Sequence, residues 1–328
     1  MSGALYFLYA AVFILSLATS ALMLKLMIPR LGARAAQPIY EGGPSWHAGK
    51  AGTPTMGGVA FITGISLAAA LFALVAFLSG DGESATDILL ILMFALLNGL
   101  VGMVDDLRKL RRRMNAGLRP MEKLMLQGVI AVAFLTARAF IFGDGTGLSF
   151  SFGEIGLGGF YFPFAFILIL GTVNCANLTD GIDGLASCVG FAIAVATFYI
   201  SAVGRVSVGV IAAATIGGTV GFLFYNINPA KIFMGDTGSL YLGALAVGAC
   251  FSLGNCALVI PMGGVYVIEG LSVIIQVAVY KLCRRRVFKM APYHHHLERC
   301  GMGENKICVI AILFTLICSL ISFFAYAR

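Results

Sequence analysis

Charge is what this sequence has least of. Only 11% of its 328 residues are charged, against about 25% in soluble domains, and no polar block is long enough to fold as a soluble domain. Its eight cysteines, at 175, 188, 250, 256, 283, 300, 308 and 318, contain no C-x-x-C spacing. Most lie in apolar runs, where cysteine acts as a small hydrophobe, so neither a zinc site nor a disulfide framework is indicated. A basic stretch ahead of the first apolar run is also missing. That run leads straight into Lys25 and Arg30 and reads as a retained helix, not a cleaved signal. There is no Walker A sequence and no internal repeat, and nucleic acid is not an expected partner.

Apolar residues make up 59% of the chain, with a mean hydropathy of +0.95. A membrane-spanning helix needs about 20 of them in a row. Ten such runs are read at 4–28, 56–78, 88–104, 124–142, 160–174, 185–203, 207–224, 239–256, 258–281 and 307–326. They predict an all-α polytopic membrane protein that forms one domain over 1–328. The ninth run contains Pro261, Gly263, Gly264 and the carboxylate Glu269, which predicts a broken or kinked helix.

Basic residues are spread unevenly around these spans. The loops after odd-numbered spans are 29–55, 105–123, 175–184, 225–238 and 282–306; with Lys281 at the edge of the last, they hold 18 of the 22 Lys and Arg residues. The loops after even-numbered spans hold Arg205 alone, against Asp81, Glu83, Asp87, Asp144 and Glu154. Positive loops stay on the cytoplasmic side, so the first set is expected in the cytoplasm and both termini outside it. One misjudged span would spoil the asymmetry. The unusual polar residues lie in that same first set, which predicts an active site built from five loops at the cytoplasmic membrane surface.

The densest polar chemistry is Asn174–Ala186, N-C-A-N-L-T-D-G-I-D-G-L-A, between the apolar run Phe160–Val173 and the next, from Leu185. Gly181 and Gly184 let the backbone turn and approach a ligand, and Asp180 and Asp183 are hard oxygen ligands suited to Mg²⁺ or to a sugar or base edge. Thr179 or Asp180 could instead cap a helix beginning near Ile182, but a cap needs one such residue and four or five stand here. Asp105 and Asp106 close the third apolar run. Adjacent acids at a helix end repel each other and oppose the dipole, a pattern expected of a pair that holds a cation or handles a proton. Further on, G-D-T-G sets Asp236 in a tightly folding backbone, where it could cap a helix or meet a ligand, and Phe233 could stack on a base. Five aspartates thus share one face, and three or four together need a divalent cation.

Two other loops carry weaker signals. Lys50, among the glycines of His47–Gly58, suits a phosphate contact as well as that segment suits a flexible linker. His294, His295 and His296, framed by Pro292 and Glu298, converge poorly on a single metal but can donate to phosphate oxygens. Arg111-Arg112-Arg113 reads as a contact with anionic lipid head groups.

Together these residues resemble the polyprenyl-phosphate N-acetylhexosamine-1-phosphate transferase superfamily, and within it the bacterial phospho-N-acetylmuramoyl-pentapeptide-transferase family. The resemblance covers essentially the whole chain. It rests on G-K-A-G-T-P-T-M-G-G at 49–58, D-D-L-R-K at 105–109, N-L-T-D-G-I-D-G-L-A at 177–186, F-M-G-D-T-G-S-L at 233–240 and P-Y-H-H-H-L-E at 292–298. Thr237 and Tyr293 depart from it where an aliphatic residue is expected, as does Leu297 where an aromatic is expected.

The resemblance implies transfer of phospho-MurNAc-pentapeptide from UDP-MurNAc-pentapeptide to undecaprenyl phosphate in the bacterial cytoplasmic membrane, giving lipid I and UMP with Mg²⁺. By that analogy Asp236 is the metal ligand, and Asp105 and Asp106 position the lipid phosphate or take its proton. Asn177, Asp180, Gly181, Ile182 and Asp183 line the nucleoside pocket, with Phe233 on uracil. Lys50, Lys109, Lys123, His294, His295 and His296 bind phosphates or the sugar, and Gln276 is a lesser substrate contact. A homodimer is common in that family, though no residue pattern here forces one. A transporter would put charges near the midplane and show pseudo-symmetric halves, while a sister enzyme using UDP-GlcNAc would share the aspartates and differ in the histidine loop.

Overall fold

A computed structural model describes residues 3–32, 50, 52–112, 117–202 and 205–326; the sequence readings at His47, Gly49, Ala51 and Arg113 lie outside the described residues. The chain is mainly helical: α1 (Gly3–Leu31), α2 (Gly58–Leu78), α3 (Gly82–Arg112), α4 (Pro120–Phe142), α5 (Tyr161–Thr179), α6 (Leu185–Ser201), α7 (Val206–Asn226), α8 (Gly235–Ser252), α9 (Val259–Met262), α10 (Gly264–Cys283), α11 (Tyr293–Arg299) and α12 (Glu304–Tyr326). Among the described residues eight helices are long and apolar enough to cross a membrane: α1 to α5, α7, α10 and α12. The ninth apolar run is broken, with a 3-10 turn at Cys256–Leu258, the short α9, and a restart at Gly264. Pro261 and Gly263 lie in that break, as their missing N–H and missing side chain favour.

Helix α8 is the centre of the bundle. Every one of its residues is buried except Asp236. Its sequence, GDTGSLYLGALAVGACFS, is rich in small side chains, which let neighbouring backbones come close where no hydrophobic force acts between lipid-facing helices. Gly102 of α3 shows why. A β-carbon there would collide with the Asp236 carbonyl, so this glycine lets the polar end of α3 pack directly on the first turn of α8.

Three features depart from the predicted spans. Helix α3 runs two turns past 104, to Arg112, because Lys109, Arg111 and Arg112 suit a helix C-terminus. At about 1.5 Å per residue its 31 residues extend well beyond a hydrocarbon core of about 30 Å. Asp105 and Asp106 therefore ride on a helix rather than open a loop. Likewise α5 continues past 174 to Thr179, which puts Asn177 on a helix. Thirdly, the segment 143–159, read as a loop, contains an antiparallel hairpin of β1 (Gly147–Phe150) and β2 (Gly153–Gly156), with Leu148 opposite Ile155 and Ser149 opposite Glu154. Ser151 at its tip donates its N–H to the Ala325 carbonyl (2.6 Å), which ties the hairpin to the end of α12.

Candidate active site

Four helix ends meet at one point. Asp105, Asp106 and Lys109 come from α3, Lys123 from the first turns of α4, Asn177 from the end of α5 and Asp236 from the first turn of α8. Each α4 and α8 residue is placed by local chemistry. Helix α4 starts at Pro120, where no N–H is needed, and the Glu122 carboxylate accepts from Arg119 N at 3.2 Å. At α8, Asp106 takes up the free N–H groups of the helix start. Its Oδ1 accepts from Asp236 N (3.1 Å), and its Oδ2 from Thr237 N (2.9 Å) and the Thr237 hydroxyl (2.6 Å). A carboxylate there gains from the helix dipole as well as from the bonds.

Asp236 is the hub. Lys123 Nζ lies 2.8 Å and Lys109 Nζ 3.2 Å from its Oδ2, while Asn177 donates to Oδ1 at 3.1 Å. Lys123 also reaches Asn177 Oδ1 (2.9 Å), Lys109 also pairs with Asp105 (2.6 Å), and Asp105 Oδ1 accepts from Leu118 N (2.6 Å). Burial alone would raise the Asp236 carboxyl, but the two ammonium groups reverse that and hold it below the ordinary carboxylate range. Asp180, just beyond the end of α5, is the contrary case. Burial pushes its carboxyl well up, with the Asp236 and Asp106 carboxylates adding to the effect, and nothing among the described residues hydrogen-bonds its side chain.

These residues fit a divalent cation. Ligand atoms of Asp105, Asp106 and Asp236 lie within 4.8 Å of one another, and the donors are the hard oxygens that Mg²⁺ takes. The three carboxylates of Asp105, Asp106 and Asp236 stand against two ammonium groups, Lys109 and Lys123, leaving a local charge of about −1 for a cation to neutralise.

The remaining predicted residues fall into two further groups. Asp183 does not face the lysines of the hub. Its Oδ1 pairs with Lys50 Nζ (2.7 Å), and its Oδ2 accepts from Asn228 Nδ2 (3.0 Å) and Ala230 N (2.9 Å). Glu304 completes this group through Lys50 Nζ and Asp183 N, both at 2.7 Å. Residues Pro54 to Gly58 run beside 233–234, with Phe233 N on Pro54 O, Gly57 N on Phe233 O and Gly58 N on Met234 O, so Lys50 and half-buried Phe233 enter from one joined pair of segments. Ile182 is 4% exposed, which leaves its backbone for any ligand contact. Neither Thr179 nor Asp180 caps α6. That helix starts at Leu185 behind Gly184 in left-handed backbone, without a side-chain cap, and Thr179 bonds back to Cys175 O.

The histidines diverge. His294 is buried against Gly181, His295 Nδ1 pairs with Glu298 at 2.6 Å, and His296 packs on Phe288 and Tyr293 while accepting from Lys289 N. Gln276 braces the chain beyond α10: its Oε1 accepts from Val287 N and Phe288 N, and its Nε2 donates to Phe288 O. Sequence reasoning passed over Glu304, because an acid in the first turn of a helix needs no other explanation than the dipole.

Comparison with known proteins follows this geometry. Residues 88–254 match the family Glycosyl transferase family 4, and residues 50–62, the segment beside 233–234, match Phospho-N-acetylmuramoyl-pentapeptide-transferase signature 1. The phospho-N-acetylmuramoyl-pentapeptide-transferase of Desulforamulus reducens is 44% identical over 297 residues, 86% of this chain and 85% of that protein. The chain belongs to the phospho-N-acetylmuramoyl-pentapeptide-transferase family. The transferase of that name from Thermoanaerobacter sp. (strain X514) is 40% identical over 321 residues, 95% of this chain and 96% of that protein. One from Clostridium botulinum (strain Alaska E43 / Type E3) is 40% identical over 293 residues. Family membership thus rests on nearly the whole chain, including both the signature segment and the aspartate-bearing helices.

Proposed function

We propose that this chain transfers phospho-MurNAc-pentapeptide from UDP-MurNAc-pentapeptide to undecaprenyl phosphate, giving lipid I and UMP in the first membrane step of peptidoglycan synthesis. The observation that carries the reading is the hub itself: Asp105, Asp106 and Asp236 within 4.8 Å, with Lys109 bridging Asp105 and Asp236 and Lys123 on Asp236, at the ends of apolar helices. One substrate is a soluble polyanion and the other a lipid whose phosphate lies at the membrane surface, so such a cluster is where they can meet. A lipid phosphate oxygen attacks the β-phosphorus of the nucleotide sugar, a new P–O–P link forms, the old bridging P–O bond breaks, and UMP leaves. Positioning and charge neutralisation supply most of the catalysis of such a transfer. Asp236, with Asp105 and Asp106 beside it, would hold Mg²⁺, which supplies neutralisation of the pyrophosphate oxygens. Lys109 and Lys123 hold anionic oxygens from the other side. A phosphate monoester has a second pKa near 6, so at neutral pH the lipid phosphate needs little help from Asp105 or Asp106 as a base. Asn177, Asp180, Gly181, Ile182 and Asp183 form the nucleoside pocket, with Phe233 stacking on uracil.

The same reading sets the chain in the bacterial inner membrane with ten spans, α6 and the 239–256 run that holds most of α8 included, both termini outside and the hub at the cytoplasmic surface. The 18 of 22 basic residues on that side support it. The test is UMP release by purified protein with undecaprenyl phosphate and Mg²⁺, offered UDP-MurNAc-pentapeptide or UDP-GlcNAc. Release with the muramoyl donor alone is expected. Release with UDP-GlcNAc alone would keep the aspartate site and reject the substrate, and silence with both would reject the enzyme.

A further inference from the structure

Glu269 is a carboxylate inside α10, 3% exposed, and the break in the ninth run does not use it: at the break Gly263 N bonds to Val259 O (2.7 Å). Its partner is His294. The His294 backbone N–H points at both carboxylate oxygens (3.2 and 3.3 Å), and Nδ1 of the same residue lies 3.0 Å from Oε2. A carboxylate that accepts in this way leaves Nδ1 as a donor and fixes which ring nitrogen carries hydrogen. The opposite nitrogen, Nε2, is buried and has no hydrogen-bond partner among the described residues, in a residue 1% exposed. It abuts Gly181, where a β-carbon would collide with it. Gly181 lies in the polar turn after α5, next to Asp180, whose side chain is also without a hydrogen-bond partner among the described residues. An orphaned buried nitrogen is costly, and here it faces the turn that the proposed reaction needs for its nucleotide.

We propose that Glu269 is a positioning residue that acts through His294: by holding the backbone N–H and Nδ1–H of His294, it aims Nε2 past Gly181 at an anionic phosphate oxygen of the nucleotide. This rests on the transfer reaction proposed above. Donation from Nε2 requires hydrogen on both ring nitrogens, which would set the imidazolium between two anions, Glu269 at Nδ1 and the phosphate oxygen at Nε2, in a charge-assisted bond stronger than a neutral one. Glu269→Gln can keep the backbone contact through its carbonyl, but its amide then donates to Nδ1. The ring becomes neutral with hydrogen on Nε2, so the donor survives without its charge.

The experiment measures UMP release and, separately, binding of UDP by calorimetry, for the wild type, Glu269→Gln, His294→Ala and the double variant. Glu269→Gln is expected to raise KM for the nucleotide sugar and weaken UDP binding about tenfold, the scale of one charge-assisted hydrogen bond, with kcat within about twofold. In the His294→Ala background the same change is expected to do nothing further. A wild-type KM in Glu269→Gln, or an undiminished tenfold loss on top of His294→Ala, would overturn the proposal. UDP binding also separates the two claims: a wild type that binds UDP but transfers nothing removes the reaction, while the binding cycle still decides Glu269. If Glu269→Gln does not fold, ¹⁵N spectra of the wild type decide. The chain has only four histidines, and the signal lost in His294→Ala must show a protonated Nδ1; an unprotonated Nδ1 rejects the assignment.

Discussion

The two ends of the antiparallel pair α3 and α8 hold two polar centres of opposite character. At one end Arg138 of α4 is 4% exposed and uses its whole guanidinium. It meets Asp144 (2.7 and 3.0 Å), Asp87 (2.5 Å), the Ser252 hydroxyl (3.0 Å) and the Phe251 carbonyl (3.3 Å). Asp87 is completed by the Ser207 and Ser252 hydroxyls at 2.6 and 2.7 Å. At the other end Asp105 and Asp236 share two lysines, and Asp180 has no hydrogen bond among the described residues. The first centre is closed, and a satisfied buried network rigidifies what it joins. The second is left with charge to be met from outside. Burial of ions alone therefore does not mark a functional site; the difference lies in which groups have all their partners.

Removing metal should separate the two ends most sharply. Chelation with EDTA is expected to abolish UMP release and excess Mg²⁺ to restore it, while the unfolding temperature changes little, because the Arg138 end is complete without an ion. Turnover that persists in EDTA would remove the cation from the hub. Next in size is Asp236→Asn, which takes away the carboxylate touched by both lysines. UMP release should fall by about a thousandfold, the scale of losing a central electrostatic group in phosphoryl transfer. Binding of the nucleotide sugar should at least partly persist; full activity in this variant would remove Asp236 from the mechanism.

At the closed end the expectation inverts. Arg138→Leu leaves Asp87 buried, and the partly exposed Asp144 beside it, without their cation, which costs about 3–5 kcal/mol of stability. Turnover per folded molecule should stay within a few-fold, since the hub lies at the far ends of the same helices. Denaturation in detergent, paired with kinetics on the folded fraction, checks both halves. A thousandfold loss of turnover with unchanged stability would mean that the two ends are not the separate centres described here.

Much of this was legible in the sequence, and what was not has physical reasons. The apolar runs and the break at Pro261–Gly264 follow from composition and backbone chemistry, and the aspartates of the hub stood out because acids at the ends of apolar runs are costly. Arg138 did not stand out, since a lone arginine within an apolar run gives no sign of the partners that satisfy it; Asp87, Ser207 and Ser252 are 51, 69 and 114 residues away. The five aspartates also read as one group, yet Asp183 is taken up by Lys50, Asn228 and Ala230, a sorting that only the packing of α8 and α12 around the turn decides. The triple histidine read as one loop feature, but on α11 successive side chains point in different directions, and only His294 turns toward Gly181.

The finest test of the contrast is the Thr237 hydroxyl, which donates to Asp106 at 2.6 Å. Thr237→Val keeps the shape and removes that one bond, so stability should fall by about 1 kcal/mol. Turnover should nevertheless stay within about twofold. Asp106 keeps the N–H groups of Asp236 and Thr237 at 3.1 and 2.9 Å, and these belong to the backbone of the α8 start, which Gly102 holds against α3. The resemblance to the family leads one to expect an aliphatic residue at this position, consistent with the backbone donors being sufficient. A tenfold drop in UMP release at unchanged stability would mean that the hydroxyl, not the helix start, fixes the Asp106 carboxylate. The open end would then depend on its side chains one by one, as the Arg138 end does.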